Sequence, residues 1–148
     1  DELTRDKYII KVKNEYFEAK RQLEFVMENY EPAGEDLDVH EKIKGQEKAV
    51  LATNSSLKIQ EFTDQINRLN FRIRWRSSEY IKNFFMSLVY GRFGEFTQPQ
   101  QAQDLMQKGY QAIEQKNDPQ LRVIINQLID LLPPAQRNQI GFGGTGIG

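Results

Sequence analysis

Cysteine is absent from the 148-residue chain, which excludes disulfide bonds, thiolate zinc sites and cysteine nucleophiles. The single histidine, His40, has no second nitrogen or sulfur ligand with which to complete an ordinary zinc site, so we interpret it as a surface residue. No apolar run approaches the roughly 18 residues that a membrane-spanning helix needs, and no signal-peptide pattern is present. We therefore expect no metal or other cofactor, no membrane partner and a cytoplasmic location.

The chain also has almost no net charge, because its 20 Lys and Arg residues nearly balance its 21 Asp and Glu residues. Nothing in the overall charge therefore draws the chain to nucleic acid. The glycine-rich residues 141–148 lack the strand and helix that a phosphate-binding loop requires, and Glu24 and Glu28 lie among lysines like ordinary surface charges. We expect no enzymatic activity, and because the chain starts at Asp1 we expect it to be part of a larger protein.

Helical periodicity is the main positive signal. Apolar residues at alternating three- and four-residue intervals predict one long helix over about residues 3–30, ended by the proline and glycine of residues 31–34. The spacing of Asp38 and Glu41 predicts a second helix that starts with a capping box at Asp38. Whether residues 38–90 form one helix or two is left open. The apolar positions of the first helix are Ile9, Val12, Tyr16, Ala19, Leu23, Val26 and Tyr30.

A second stripe of the same period runs over residues 59–90, and Gly91 and Gly94 end it. Two shorter helices follow within residues 98–132, with a predicted cap at Thr97. The expected fold is all-α: an antiparallel bundle of about four helices in a single domain over residues 1–140. Residues 141–148 contain five glycines and are expected to form a flexible tail. The second stripe consists of Ile59, Phe62, Ile66, Leu69, Ile73, Arg76, Tyr80, Phe84 and Leu88.

An arginine cluster, RLNFRIRWR, occupies residues 68–76 and lies within this stripe. Basic and aromatic side chains together suit nucleic acid, since cations neutralise phosphates and rings stack on bases. A solvated or ion-paired helix face is the favoured interpretation, because the total charge is nearly zero. Nucleic-acid binding through Arg68, Arg72, Arg74 and Arg76 remains the alternative. The candidate interaction surface comprises Arg68, Arg72, Trp75, Arg76 and Phe85.

A group of aromatic residues follows the arginine cluster and extends into the glycine-containing segment. Such residues usually pack inside a fold, so a core role is favoured for them. Apolar surface next to a break in a helix can instead bind a partner, and the sequence does not decide which rings are exposed. The group contains Phe84, Phe85, Tyr90, Phe93 and Phe96.

A resemblance to a known family is carried by residues 104–134, DLMQKGYQAIEQKNDPQLRVIINQLIDLLPP. This segment resembles the C-terminal helical pair of DnaK-like proteins of the seventy-kilodalton heat-shock chaperone family, in which a leucine run ends in proline. Residues 14–30, NEYFEAKRQLEFVMENY, are similar to the long first lid helix of that family. The family's phosphate-binding motifs and β-rich peptide-binding segment have no counterpart here, so the resemblance does not imply ATPase activity.

The resemblance implies a non-catalytic, lid-like module that binds polypeptide clients or a co-chaperone, with nucleotide handled by another domain. Two hypotheses from other classes compete with it. One is the RNA- or DNA-binding module already described, and the other is a scaffold that forms homo-oligomers through its long helices.

Overall fold

The structure, a computed structural model, describes residues 1–140 and is all-α over that range, without a strand among those residues. About four helices were predicted, whereas the described part of the chain contains seven. They are α1 (Glu2–Asn29), α2 (Gly34–Ala52), α3 (Ser56–Trp75), α4 (Ser78–Gly91), α5 (Pro99–Glu114), α6 (Asp118–Asp130) and α7 (Pro134–Ile140), with a short 3-10 helix at Phe93–Glu95. The expected flexible tail lies outside the described residues.

The chain divides into two compact units, where the sequence predicted a single domain. Unit 1 comprises Asp1–Trp75 and holds α1 to α3, and unit 2 begins at Arg76 and holds the remaining helices. Among residues 1–140, no helix combines the length and the apolar character that crossing a membrane requires.

Unit 1 is built on the packing of α1 against α3, with α2 packed on α3. The helix predicted over residues 3–30 is confirmed as α1, whose first turn is capped by Asp1: its carboxylate accepts a hydrogen bond of 2.8 Å from the amide of Thr4. Its predicted apolar face is buried at most positions. The core consists of Val12, Tyr16, Ala19, Leu23, Val26, Ile43, Ile59, Phe62, Ile66, Leu69 and Ile73.

Helix α2 begins four residues before the predicted start, so the capping box predicted at Asp38 is wrong. The N-cap is Ala33, and its backbone amide donates a 2.9 Å hydrogen bond to Asp36 Oδ2. Asp36 thereby satisfies the donor at the start of the helix, and the carboxylate is fully buried.

The second stripe is interrupted between unit 1 and unit 2. Helix α3 ends at Trp75, and Ser77 caps α4 by accepting a 3.2 Å hydrogen bond from the amide of Tyr80. Residues 38–90 therefore contain the greater part of α2 together with all of α3 and most of α4. The period persists in the sequence because the two helices are separated by only two residues. The buried face of α4 nevertheless comprises Ile81, Phe85, Leu88 and Val89, whereas the predicted Tyr80 and Phe84 are only half-buried.

Unit 2 packs α6 against both α5 and α4. The predicted pair within residues 98–132 is confirmed as α5 and α6, with Pro99 and Pro119 in their first turns. Asn117 caps α6 by accepting from the amide of Gln120. The core includes Ile81, Phe85, Leu88, Ala102, Leu105, Met106, Ala112, Leu121, Ile124, Ile125 and Leu128.

Thr97 plays a different role from the predicted cap. Its amide and its hydroxyl both donate to the carbonyl of Leu131, at 2.8 and 2.9 Å, whereas the N-cap of α5 is Gln98. The residue thus joins the segment before α5 to the end of α6. After the predicted stop at Pro133, the chain forms one more short helix, α7.

Candidate interaction surfaces

Arg72 is held on α3 by a buried partner on α2. Its Nε lies 3.2 Å from Oδ1 of Asp36, and the same carboxylate accepts the amide of Ala33 through its other oxygen. The Arg72 side chain is 48% exposed while that of Asp36 is completely buried. Because removing one partner would leave a buried charge with fewer donors, Arg72 has a structural role in joining α2 to α3.

Arg68 lies one turn earlier on α3 and differs from Arg72. It is exposed, and within residues 1–140 neither an ion pair nor a hydrogen bond engages its side chain. Arg76 is the first residue of unit 2, and its carbonyl accepts a 3.3 Å hydrogen bond from Nη2 of Arg122. The predicted arginine cluster is therefore divided between the two units, and Arg68 is the member most available to an external anion.

The aromatic residues of the arginine segment pack on each other. The rings of Phe71 and Trp75 stack with centroids 5.3 Å apart and planes inclined by 24°. Both side chains are half-buried at the end of α3. Stacked rings of this kind contribute to the packing of unit 1, so Trp75 is only partly accessible as an interaction residue.

Phe85 was assigned to the candidate interaction surface, and that assignment is wrong because the side chain is 0% exposed. It packs beside α5, where a Cβ on Gly109 would lie less than 3.0 Å from three of its ring carbons. The Phe85 ring also contacts that of Tyr110, with centroids 5.4 Å apart. Phe85 is a core residue of unit 2.

A polar cluster between α1 and α2 was not anticipated from the sequence. Oη of Tyr16 donates to Oε2 of Glu47 at 2.5 Å, and Nζ of Lys20 lies 2.8 Å from the same oxygen. These groups line a cavity of about 330 Å³ that also adjoins His40. A local sequence pattern does not reveal this cluster, because Tyr16 and Glu47 are 31 residues apart and lie on different helices.

The pKa values of this cluster follow from its contacts. Hydrogen bonds from Lys20 and then Tyr16 lower the pKa of the Glu47 carboxyl, since both donors stabilise its anion. Burial, reinforced by the hydrogen bond to Glu47, raises the pKa of Tyr16. Burial also lowers the pKa of His40, with Lys44 adding to the effect. The partners satisfy one another, so the cluster resembles a structural network more than a site prepared for catalysis.

A groove of about 630 Å³ between α1 and α3 is lined by several carboxylates. Two of them already have basic neighbours on their own helix, since Lys11 pairs with Glu15 and Arg21 pairs with Glu18. Within the described residues, no group of three or more His, Asp or Glu side chains is placed to hold a metal ion. The groove is therefore an acidic surface of unit 1.

Two aromatic residues at the end of α4 are strongly exposed. Tyr90 is 76% exposed in the last turn of the helix, and Phe93 is 57% exposed three residues later. Oη of Tyr90 lies 3.5 Å from Oη of Tyr110 on α5. Phe96, from the same predicted group, is buried. The structure thus separates this group into core rings and one exposed aromatic pair, Tyr90 and Phe93.

The outer face of α1 carries a further set of exposed apolar side chains, on the side roughly opposite the buried face. Only the buried face of this helix was predicted from the sequence. The missed signal is the seven-residue spacing of Leu3, Ile10 and Phe17. The outer face of α1 is defined here as Leu3, Ile10, Phe17 and Phe25, whose exposed fractions range from 45% to 65%.

Comparison with protein-family models, curated proteins and solved structures finds no match to this chain.

Proposed function

We propose that this chain is a non-catalytic protein-interaction module, equivalent to the C-terminal helical region of a DnaK-like chaperone, that binds an apolar segment of a polypeptide client or co-chaperone. The observation that carries the proposal is the exposed aromatic pair, Tyr90 and Phe93, at the end of α4. Both rings lie outside the core of a unit whose other large side chains are mostly buried.

Exposed aromatic residues suit protein binding for a physical reason. A tyrosine or phenylalanine buries a large area on binding and has few rotatable bonds to immobilise, so contact with a partner costs little side-chain entropy. Residues of this kind are frequent among those that dominate the energy of protein interfaces. The Tyr90 hydroxyl, close to that of Tyr110, adds a polar edge where a partner's backbone can form hydrogen bonds.

The binding proposed here involves no bond chemistry. The ion pair between Arg92 and Glu95, with Nη1 and Oε2 3.1 Å apart, keeps a balanced charge beside the exposed aromatic pair. An apolar peptide segment can therefore approach whether its flanking residues are acidic or basic.

The experiment measures binding of fluorescently labelled apolar peptides, together with the suppression of aggregation of a chemically denatured reporter protein. The double variant Tyr90→Ser/Phe93→Ser should weaken peptide binding by about ten-fold or more, because two anchor rings are lost. Val123→Ser is the matched control, since Val123 is an exposed apolar residue on α6 of the same unit. Equal binding by the double variant and the wild type would contradict the proposal.

Nucleic-acid binding receives less support, because Arg72 is engaged by Asp36, which leaves Arg68 as the exposed arginine of the segment without an ion pair among the described residues. The same peptide-binding samples can be titrated with single-stranded RNA and with duplex DNA. Salt-sensitive binding that Arg68→Ala abolishes would replace the proposed function with the nucleic-acid alternative.

A further inference from the structure

Helix α2 is attached to unit 1 by less apolar burial than the other two helices. Only Asp36 and Ile43 of α2 are buried, whereas α1 buries five residues and α3 buries six. Gly45 lies in the interior of α2, where glycine is less favourable than alanine. Because burial of an apolar face supplies most of the stability of a helix in a protein, α2 is the least stabilised helix of unit 1. Its other apolar contacts come from the partly buried Val39, Val50 and Leu51.

The polar contacts of α2 add only modestly to its attachment. Asp36 pairs with Arg72 on α3. Glu47 accepts hydrogen bonds from Tyr16 and Lys20 on α1. When α2 separates from its neighbours, these groups regain water together, and their hydration offsets most of the interactions that they lose. These contacts therefore fix the position of α2 more than they strengthen its attachment.

The apolar surface beneath α2 is incompletely filled. Tyr16 and Leu23 of α1, Ile43 of α2 and Ile66 of α3 are buried, yet they border the cavity of about 330 Å³. Apolar groups beside an empty space lack dispersion contacts on that side. Glu47 lines the same cavity one helical turn after Ile43, at a position where an apolar side chain would fill it. Helix α2 is thus an imperfect occupant of the surface that α1 and α3 form.

Helices α1 and α3 contact each other without help from α2. The Tyr8 hydroxyl accepts a 2.9 Å hydrogen bond from Nε2 of Gln60, and the rings of Tyr16 and Phe62 stack with centroids 5.5 Å apart. The 19 residues of α2 extend about 28 Å as a helix. Residues 30–55 span that distance easily when unfolded, because an extended residue covers more than twice the rise of a helical one. The α1–α3 pair can therefore persist while α2 is detached.

We propose that α2 is a displaceable cover: it opens as a unit while α1 and α3 remain packed, and an amphipathic helix of a partner polypeptide binds the apolar surface that it uncovers. The cover surface is defined here as Tyr16, Leu23 and Ile66. Binding of a helix through a line of apolar anchors in such a groove is a common mode of peptide recognition.

The chemistry of the partner follows from what α2 provides and what it lacks. Val39, Ile43, Glu47 and Val50 are separated by four, four and three residues, so they lie along one side of α2. A partner helix with apolar residues at all four positions would fill the space beside Glu47. A better helix former at the position of Gly45 would lower the free energy of the bound helix further.

The opening of α2 sets the apparent affinity for such a partner. Only the open fraction of the chain can bind, so the apparent dissociation constant is the intrinsic one divided by that fraction. A change that stabilises α2 in place must therefore weaken binding, and a change that loosens α2 must strengthen it. This opposite response distinguishes a displaceable cover from an ordinary surface site.

This proposal does not depend on the proposed function, because the cover surface belongs to unit 1 and the exposed aromatic pair belongs to unit 2. Tyr90→Ser/Phe93→Ser should leave helix binding at the cover surface unchanged. Either proposal can therefore fail while the other holds.

The first test is native-state hydrogen exchange of the full chain at increasing urea concentrations below the unfolding transition. The α2 amides should exchange at least about ten-fold faster than the buried amides of α1 and α3. Their exchange should also depend less on urea, because opening α2 exposes less surface than unfolding the whole unit. Equal exchange and equal urea dependence in all three helices would overturn the proposal.

The second test measures binding of a fluorescent peptide with the sequence of residues 34–52 carrying Gly45→Ala and Glu47→Leu. Fluorescence anisotropy should show binding to the full chain and none of a scrambled peptide. Gly45→Ala in the chain should weaken binding about two- to five-fold, because it stabilises the cover. Glu47→Gln in the chain should strengthen binding about two-fold or more, because the ion pair with Lys20 is lost.

Glu18→Gln is the matched control for Glu47→Gln, since Glu18 is an exposed carboxylate on α1 that pairs with Arg21 of the same helix. It should leave the affinity unchanged. An absence of binding, or an affinity that neither α2 variant alters, would overturn the proposal. Loss of binding in Tyr90→Ser/Phe93→Ser would assign the peptide to the exposed aromatic pair and overturn it as well.

Discussion

At the scale of the residue, Gly109 and Phe85 show how closely the helices of unit 2 approach. A Cβ at position 109 would lie less than 3.0 Å from three ring carbons of Phe85, and the ring is fully buried. The glycine thus permits close contact between α5 and the ring. This is a packing requirement, since Gly109 lies inside a helix where alanine would otherwise be preferred.

Gly109→Ala should destabilise unit 2 by about 1–3 kcal/mol, because the added methyl group forces the ring and backbone apart. Gly45→Ala is the control: Gly45 also lies inside a helix, but an added Cβ would meet nothing within 4 Å. That variant should be stabilised by about 0.5–1 kcal/mol through its higher helix propensity. Urea unfolding followed by circular dichroism measures both changes, and a neutral Gly109→Ala would disprove the close packing.

At the scale of the element, α1 and α2 are joined by the Tyr16, Lys20 and Glu47 contacts, whose strength depends on pH. Glu47 has a lowered pKa in the folded state, so its contribution to stability is present above the ordinary glutamate pKa of 4.5 and is lost as pH falls through the folded value. Tyr16 has a raised pKa, so its contribution is present below the ordinary tyrosine pKa of 10.0 and is lost as pH rises through the folded value.

We therefore expect the unfolding free energy to decrease on acidification below pH 4.5 and on alkalinisation beyond pH 10. Glu47→Gln should be less stable than the wild type at neutral pH and should show a smaller decrease in acid, since the amide cannot ionise. Urea titrations of both proteins across this pH range measure the difference. Parallel stability curves for the two proteins would show that the Glu47 contacts do not contribute.

His40 makes stability depend on pH in a separate range, between those of Glu47 and Tyr16. Its pKa is lowered by burial, so the unfolded chain takes up a proton more readily than the folded one. The unfolding free energy should therefore decrease as pH falls through the ordinary histidine pKa of 6.5. Urea titrations should show this decrease in Glu47→Gln and not in His40→Gln.

The elements also show what the sequence could predict. The length of α1 and the paired helices α5 and α6 were predicted because apolar periodicity and proline positions are local signals. The break before α4 was missed because the apolar stripe continues across it. Arg76 at a stripe position, followed by Ser77 as a capping residue, was the local sign of that break.

The candidate site was less predictable than the fold. The arginine segment identified Arg68 as an exposed cation, but burial of Phe85 depends on the approach of Gly109, which is distant in the sequence. The start of α2 depends likewise on Asp36, whose carboxylate is fixed by Arg72 from another helix. Contacts between distant segments decide such details, and a local pattern does not encode them.

At the scale of the whole molecule, each unit has its own buried core and its own capped helices. A core assembled within one segment of the chain allows that segment to fold without the other. Units of about 75 residues bury limited apolar area, so each is expected to be only modestly stable alone.

Residues 1–75 and 76–148, produced separately, should each be helical and unfold cooperatively, and their circular dichroism spectra should sum to that of the whole chain. Residues 1–55 are the control, because this fragment lacks α3, which supplies five of the eleven core residues of unit 1. That fragment should be largely unfolded. A disordered unit fragment, or a well-folded control, would contradict the division at Trp75.

The stack of Phe71 and Trp75 gives this division an optical consequence. Trp75 is the chain's one tryptophan and the last residue of unit 1. Its fluorescence should shift to longer wavelength when unit 1 unfolds and the half-buried indole leaves the Phe71 ring for water. Unit 2 contains tyrosines and phenylalanines but no tryptophan, so it contributes no fluorophore of its own at the red edge of aromatic absorption. The sequence thus carries a built-in reporter for one half of the intact chain.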